Sequence, residues 1–200
     1  MKIKLSDIAT VKAGHGFRGK IPEISEGNGY VIQQRDINEN GIINWTGLVR
    51  TEIRGRREPD WLEPGDIIFS ARGVRNIATC IDEIEKPVVC GPYYFLIQIN
   101  EDVSAAFLPA FIGWQLNQKR AQKTFAKALE GSIQVSIRKS VLENIELDIP
   151  DIKKQHAIAE LDKLTKKEQS IFAALIVNRK QQMRSIAAGL LNNTIELNTK

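Results

Sequence analysis

Short runs of Val, Ile and aromatic residues alternate with turn signals through the middle of the chain. Such runs, bounded by Gly, Pro, Asn or Asp, are typical of β-strands. The clearest turns are Glu39-Asn40-Gly41 and Pro64-Gly65-Asp66. The pattern predicts a compact mixed or antiparallel sheet with strands in YVIQQ (30–34), GIIN (41–44), DIIFSA (66–71), IATCI (77–81), PVVC (87–90) and YYFLIQI (93–99).

Helical spacing is found at both ends of this region. Near the N-terminus, DIATVKA predicts a short helix capped by Ser6 and ended by Gly14. A second helix is predicted to begin at Pro109 and to end at Gly131, because its apolar residues recur every three or four positions. One helical turn over 138–143 and a strand IELDI (145–149) follow, and Pro150 marks a boundary.

After Pro150 the apolar positions form a heptad seam, which predicts a long coiled-coil helix. From Ile158 to Leu190 this seam would extend roughly 50 Å, longer than a domain of this size is wide. We therefore expect the helix to project and to need a partner helix, although a helix lying on its own sheet is an open alternative. Leu175, Arg179 and Met183 are separated by two successive spacings of four, as in a stutter of a coiled coil. The predicted interface residues are Ile158, Leu161, Phe172, Leu175, Met183, Ile186 and Leu190.

These patterns divide the chain into an α+β domain over residues 1–150, a long helix over 151–192 and a short tail over 193–200. No run approaches the ~18–20 apolar residues of a membrane span, and the N-terminus lacks the apolar core of a signal peptide. We therefore expect a cytoplasmic protein that does not enter a membrane. Cys80 and Cys90 lie in apolar runs and are interpreted as reduced buried thiols.

The charge is sorted along the chain. The net charge of +4 comes wholly from residues 151–200, with 9 basic and 5 acidic side chains, whereas residues 1–150 hold 19 of each. Within the neutral part, residues 81–102 are mainly acidic and residues 115–139 mainly basic. Sorting of this kind indicates a polarised surface with one side suited to phosphates.

Basic side chains recur in loops and along one face of a predicted helix. The planar fork of arginine can donate two hydrogen bonds to a guanine edge or clamp a phosphate, whereas lysine supplies mainly a point charge. Three lysines spaced by four repel one another, and a polyanion would relieve that repulsion. The candidate DNA contacts are Arg18, Lys20, Gln33, Arg35, Arg54, Arg56, Arg57, Arg72, Arg75, Lys119, Lys123, Lys127, Ser132, Gln134 and Arg138.

Motifs of catalysis and cofactor binding are weak. Residues 14–19 fit GxGxxG, but they follow a predicted helix and Pro22 interrupts the helix that a dinucleotide would need. With His15 and His156 as the two histidines, neither a zinc cluster nor a Ser-His-Asp set can be assembled with confidence. We therefore predict no catalytic residue, no metal and no cofactor.

Four further stretches stand out along the chain: LSDIATVKAGHG (5–16), YVIQQRDINENGIIN (30–44), WLEPGDIIFSARG (61–73) and the long run 129–164. They resemble the specificity subunit of type I restriction–modification systems, in that family's order. The most specific pieces are Gly65-Asp66-Ile67-Ile68 leading to Ser70-Ala71-Arg72-Gly73, the turn 131–134, and the junction of strand, Pro150, Gln155 and helix. The resemblance implies a target recognition domain that reads a few base pairs in the major groove, and a helix that sets the distance between two such domains.

The resemblance also implies partners. Specificity subunits of this family dock DNA methyltransferase subunits, and restriction subunits can join them. The usual subunit carries two recognition domains and two helices, whereas this sequence has one of each and resembles a half subunit. We expect a non-catalytic homodimer on double-stranded DNA with an inverted-repeat target. A coiled-coil scaffold and a fragment of a methyltransferase or nuclease are the alternatives.

Overall fold

The computed structural model describes residues 1–55, 58–73, 75–129 and 136–192. The chain divides into two compact units, which meet in sequence between Ala159 and Glu160. Strands and short helices make up the first unit, and a long helix continues through the described part of the second. This architecture confirms the predicted α+β class.

The described strands and helices follow in a simple order. They are β1 (Lys2–Lys4), β2 (Ala9–Ala13), β3 (Gly29–Ile32), β4 (Val49–Thr51), β5 (Ile67–Ser70), β6 (Ala78–Cys80), β7 (Val88–Cys90), β8 (Tyr94–Ile99), α1 (Pro109–Leu116), α2 (Lys119–Leu129), α3 (Lys139–Glu143), β9 (Glu146–Asp148) and α4 (Ile152–Leu191). An antiparallel sheet has the described strand order β2-β8-β5-β6. In a mixed sheet, β3 lies between antiparallel β4 and parallel β7, and β1 pairs with β9.

Alternating side chains of β5 join two hydrophobic cores. Successive residues of a strand point to opposite faces. Ile67 and Phe69 therefore pack with α1 and α2, and the Phe69 and Phe125 ring centroids lie 4.9 Å apart. Ile68 points the other way, into a core that it shares with Val88 of β7. Both faces of this sheet are thus covered, which explains why the β5 run is apolar without alternation.

A tight turn positions β5. Gly65 has φ +95°, the left-handed region that glycine adopts without a Cβ penalty, and Pro64 precedes it as in a type II turn. The Asp66 carboxylate accepts hydrogen bonds from the Glu63 backbone N–H at 2.8 Å and from Gln98 Nε2 at 3.0 Å. Burial nevertheless raises the pKa of Asp66 above its ordinary value. The turn predicted at Pro64-Gly65-Asp66 is present.

Two of the sequence predictions for the first half of the chain are wrong. Residues 7–13 do not form a helix, because Leu5–Asp7 is a single 3₁₀ turn and Ala9–Ala13 is a strand paired with β8. The β-branched Thr10 and Val11 favour a strand, and that pairing decides the conformation. Residues 41–44 are not a strand either, since Ile43 makes only an isolated bridge with Ile37, and the strand that pairs with β3 is β4.

The predicted helix between Pro109 and Gly131 is two helices. It does begin at Pro109, but α1 ends at Leu116 and α2 starts at Lys119. Between them, the Asn117 side chain accepts a hydrogen bond from the Ala78 backbone N–H and donates one to the Ala78 carbonyl, both at 2.8 Å. These bonds fix Asn117 against β6, between the two helices.

The start of α4 is tied to the first unit by Gln155. Its fully buried side chain accepts a hydrogen bond from the Leu108 N–H at 2.9 Å and donates to the Ala106 and Pro150 carbonyls at 2.9 and 3.0 Å. Asp151 caps the helix at the Lys154 N–H, and its bonds to Lys154 lower the pKa of its carboxyl.

The second unit leaves the predicted seam uncovered within the described chain. Leu161 is 64% exposed, Phe172 55%, Leu175 56%, Met183 52% and Ile186 45%, and Leu190 is half-buried. Ile158 differs, because it lies in the first unit and packs partly against that unit's core. The predicted tail over 193–200 lies outside the described residues.

Candidate nucleic-acid interface

An open cleft of about 530 Å³ forms where the loop after β3 faces the turn after β5. We name it the arginine cleft. It brings together two arginines predicted from the sequence, Arg72 and Arg75, which lie beyond the end of β5. The side chains that define the cleft are Gln34, Glu39, Ser70, Arg72, Arg75 and Tyr94.

Several hydrogen bonds fix the backbone at Arg72. The Arg72 carbonyl accepts hydrogen bonds from Gln34 Nε2 and, at 3.0 Å, from the Ser70 hydroxyl. Gly73 has φ +107°, and a Cβ at this position would lie 2.8 Å from Gln34 Nε2. The buried Asn76 side chain donates to the Ser70 carbonyl at 2.9 Å. These contacts fix the backbone at Ser70, Arg72 and Gly73.

The two arginines have different surroundings. Arg72 is exposed and lies over the Tyr93 ring, 5.3 Å from its centroid, and no carboxylate pairs with it among the described residues. Arg75 donates to the Glu39 carboxylate at 2.7 Å, with both side chains more than half exposed. An exposed ion pair of this kind contributes only about 0–1 kcal/mol, so Arg75 can exchange Glu39 for another acceptor.

The loop after β3 has a buried side and an exposed side. The buried Asp36 carboxylate accepts a hydrogen bond from the Gln33 N–H at 2.7 Å, and burial raises its pKa. The Tyr94 hydroxyl donates to the Gln33 carbonyl at 3.3 Å, and burial raises the pKa of this phenol, which keeps its proton. Gln33 Nε2 is buried without a hydrogen-bond partner in the described chain, whereas Arg35 is 65% exposed. Of these two candidates, Arg35 is thus the accessible one.

Helix α2 lies next to the same turn. Gln122 Nε2 donates to the Asn76 carbonyl at 2.8 Å, which places this part of α2 beside the residue that follows Arg75. Lys119, Lys123 and Lys127 are all exposed on this helix. Arg120, by contrast, pairs with Glu146 and Asp148, so the basic character predicted for this segment is partly neutralised.

Residues 136–138 lie beside the segment that carries Arg72. Ser136 forms an isolated antiparallel bridge with Arg72, and the Ile137 N–H donates to the Ala71 carbonyl at 2.7 Å. Arg138 follows directly and is exposed. The structure therefore places Arg72, Arg75, the start of α2 and Arg138 in one neighbourhood.

Other predicted residues are not brought into the cleft. Arg18 and Lys20 are exposed in the loop after β2, where Phe17 packs against Val31 and Val89. Arg54 is 83% exposed beside Glu52, at 3.4 Å. No contact between these three basic residues and the cleft is present in the described structure. Arg56, Arg57, Ser132 and Gln134 lie outside the described residues.

Sequence reasoning missed two participants, Tyr93 and Glu39. The sequence pattern places Tyr93 in a strand, but β8 begins at Tyr94 and the Tyr93 ring is 45% exposed. An aromatic residue directly after the turn-forming pair Gly91-Pro92 is the sequence signal that could have identified Tyr93 as a surface residue. The sequence predicts Glu39 only as part of a turn. Its ion pair with Arg75 joins segments 36 residues apart, which local sequence does not indicate.

The cleft supplies the chemistry of base-edge and phosphate recognition. A free guanidinium fork can donate two hydrogen bonds to guanine O6 and N7, and a carboxylate such as that of Glu39 can accept from cytosine N4. Among the described residues, no three His, Cys, Asp or Glu side chains form a group that could hold a metal ion. No described helix has the length and apolar character needed to cross a membrane.

The sequence profile of the type I restriction modification DNA specificity domain (Methylase_S) matches residues 1–175. The chain belongs to this family. No curated protein sequence matches the chain. The specificity-domain assignment therefore rests on the family profile, and solved structures supply an independent comparison of the fold.

Three of the solved structures with this fold come from type I systems. The S subunit from M. genitalium aligns with a TM-score of 0.62 at 18% sequence identity. The alignment covers 95% of this chain and 45% of that subunit. The HsdS subunit from Thermoanaerobacter tengcongensis has a TM-score of 0.57 at 12% identity, covering 84% and 37%. A chain from the structural work on complex assembly and conformational transition of the type I R-M system has a TM-score of 0.65 at 10% identity, covering 96% and 44%. The chain spans less than half the length of each.

Proposed function

We propose that the chain is a non-catalytic DNA-recognition subunit of a type I restriction–modification complex, and that one copy reads one half-site. The observation that carries this proposal is the arginine cleft. Its turn holds the exposed Arg72 fork over Tyr93 and keeps Arg75 in an exchangeable ion pair. Specific DNA recognition needs donors with fixed positions at base edges, and the hydrogen-bonded backbone at Arg72 supports that role for its side chain.

Phosphate contacts complete the proposed interface. Lys119, Lys123 and Lys127 are exposed on α2, the helix tied to the turn by Gln122. Arg35 is exposed on the loop after β3, and Arg138 is exposed beside the turn. Such contacts fix the register of a protein on the duplex without reading bases. Arg18, Lys20 and Arg54 remain predicted contacts on separate loops.

The exposed seam of α4 supports pairing of two copies. Two chains that pair their helices about a two-fold axis form a homodimer, and an antiparallel pair holds the recognition domains at opposite ends. The matching target is an inverted repeat of two half-sites with an unread spacer. Adding one base pair to the spacer rotates one half-site by about 34–36°, since B-DNA has ~10–10.5 base pairs per turn, and binding should fall.

We further propose that methyltransferase subunits are partners of the chain, that restriction subunits join them, and that the complex is cytoplasmic. Support comes from one of the similar solved structures, which concerns complex assembly of the type I R-M system. The methyltransferase subunits would bring any methyl donor, and the specificity chain would need no cofactor of its own.

Incubation of the pure chain with duplex DNA separates this proposal from its alternatives. With labelled S-adenosylmethionine or with magnesium, the chain alone should neither methylate nor cleave DNA, and methylation should appear when cognate methyltransferase subunits are added. Turnover by the chain alone would instead support an enzyme fragment. A chain without affinity for DNA at low salt would support a coiled-coil scaffold.

A further inference from the structure

The exposed face of α4 carries a pattern of charge as well as apolar residues. The helix is continuous over Ile152–Leu191, so one strict heptad frame can be followed along it. In that frame Glu168 and Arg179 both fall on the apolar seam, at d and a positions respectively. Both are exposed, and neither has an ion-pair partner among the described residues.

We infer that two copies of the chain pair antiparallel in the one register that places Glu168 of each copy opposite Arg179 of the other. This inference rests on the proposed pairing of two chains through α4 and adds the alignment of the two helices. In an antiparallel coiled coil the a positions of one helix face the d positions of the other. The residue numbers of every facing pair then add to the same value.

The central layers of this register match by chemistry. Phe172 faces Leu175 of the second copy, and because of the two-fold axis this layer occurs twice, on both sides of the centre. Both side chains are more than half exposed in the described chain, so pairing would remove apolar surface from water. Glu168 and Arg179 flank these layers and form two symmetry-related ion pairs.

The outer layers follow the same rule. Thr165 faces Gln182, polar against polar, and Leu161 faces Ile186, apolar against apolar. In an unbroken heptad frame Gln182 occupies the d position of the seam, and Met183 occupies the flanking e position. The strict frame thus matches the layers from Leu161 to Ile186 by chemistry and needs no stutter over that stretch.

Neighbouring registers lose this match. A shift by one heptad in one direction places Glu168 against Phe172 and Arg179 against Leu161. A shift in the other direction places Glu168 against Ile186 and Arg179 against Leu175. A parallel, in-register pair places each charge against its own copy. All three arrangements bury a charge without an opposite partner, which is strongly unfavourable. The charges therefore select one register and one orientation.

Charge exchange tests the inference. Glu168→Arg puts two arginines opposite each other at both sites of the dimer, and Arg179→Glu does the same with two glutamates. We expect each single variant to dimerise at least about 100-fold more weakly than the parent at ~0.1 M salt, because like charges would replace both ion pairs. The double variant E168R/R179E restores opposite charges and should dimerise like the parent.

A mixture of the two single variants is the most direct test of the register. The E168R chain has arginine at both positions and the R179E chain has glutamate at both, so one copy of each recreates both ion pairs. An equimolar mixture should therefore form heterodimers. Native mass spectrometry distinguishes them from homodimers by mass. Circular dichroism of each variant checks that the chain is folded. Single variants that dimerise with the parent's affinity, or a mixture that dimerises no better than its components, would overturn the register.

Cysteine cross-linking tests the orientation separately. In the inferred register Thr165→Cys lies opposite Gln182→Cys of the other copy, and the two copies of position 165 are about 25 Å apart at 1.5 Å per residue. Mild oxidation should cross-link a mixture of T165C and Q182C chains but neither variant alone, with the parent chain as control for Cys80 and Cys90. A cross-link of T165C to itself would overturn the antiparallel register.

The proposed function and this inference fail in different ways. A parent chain that is monomeric at high micromolar concentration contradicts the proposed homodimer and the register together. A dimeric parent whose charge variants behave like the parent contradicts the register alone and leaves the DNA-recognition proposal standing.

Discussion

The guanidinium of Arg72 lies over the ring of Tyr93, with 5.3 Å between its central carbon and the ring centroid. A cation–π contact at an exposed site is worth about 0.5–1 kcal/mol. An arginine side chain carries about 2 kcal/mol of rotamer entropy, and contact with a ring restricts part of it. In the proposed interface, Tyr93 would therefore reduce the entropy that Arg72 loses when DNA binds.

Arg72→Ala should remove discrimination at one base pair of the half-site. A bidentate arginine–guanine contact is worth about 1–3 kcal/mol, so affinity for the cognate site should fall by about 5- to 150-fold while affinity for unrelated DNA falls far less. Arg72→Lys keeps the charge but not the fork, and should lose the same discrimination. Fluorescence anisotropy on single-base variants of the site measures both. Equal weakening on every sequence would make Arg72 a phosphate contact.

Glu39→Gln should release Arg75 for DNA. Removal of the carboxylate frees the guanidinium from its ion pair and takes a negative charge away from the cleft, so non-specific affinity should rise by about 2- to 5-fold at low salt. The matched control is Asp60→Asn, which removes the same charge beside Lys12, a residue outside the cleft that is not a candidate DNA contact. If the two variants have equal affinity, the DNA face does not include the arginine cleft.

Gln155→Leu should destabilise the first unit. The substitution keeps side-chain bulk but leaves the Leu108 N–H and the Ala106 and Pro150 carbonyls without their present partner. Buried polar groups left unpaired cost about 1–3 kcal/mol each, so the free energy of unfolding should fall by at least about 3 kcal/mol. Urea denaturation measures the loss, with exposed Gln181→Leu as the control. Equal stability of the two variants would show that these hydrogen bonds contribute nothing.

Asp66→Asn should change how stability depends on pH. Burial raises the pKa of Asp66 above 3.8, so the folded chain holds this proton more tightly than the unfolded chain does. The parent is therefore most stable, relative to the variant, at acidic pH, and it loses that advantage as pH rises through the raised pKa. Asp36 shifts in the same direction but is present in both proteins and cancels in the difference. Urea unfolding of both proteins from about pH 4 to pH 8 measures this difference, and a pH-independent result would contradict the environment assigned to Asp66.

Local patterns predict those elements whose conformation is decided locally. Pro109 begins a helix, and the Pro64-Gly65 turn forms because its own residues prefer that backbone. Residues 7–13 also have a helical pattern, but pairing with β8, about ninety residues away, makes them a strand. Asn117 ends a helix through hydrogen bonds to Ala78, a contact that no helix propensity contains.

The candidate site shows the same division. Arg72 and Arg75 can be predicted because arginines in a glycine-containing turn are suited to recognition, and the structure places both in one cleft. Sequence reasoning does not identify Tyr93 and Glu39 as participants, because each acts through a neighbour that is distant along the chain. Gln33 is a candidate by residue type, yet its amide nitrogen is buried. Which basic residues share a face is decided by strand pairing, and local sequence does not encode that.

Selection of bound sites from a random duplex library tests the central claim most directly. The chain should enrich an inverted repeat of two short half-sites separated by a spacer of one length, and Arg72→Ala should relax the selection at one symmetric pair of positions. A library that shows no enrichment over its input, or that converges on a single asymmetric site, would contradict a two-fold dimer of half-site readers.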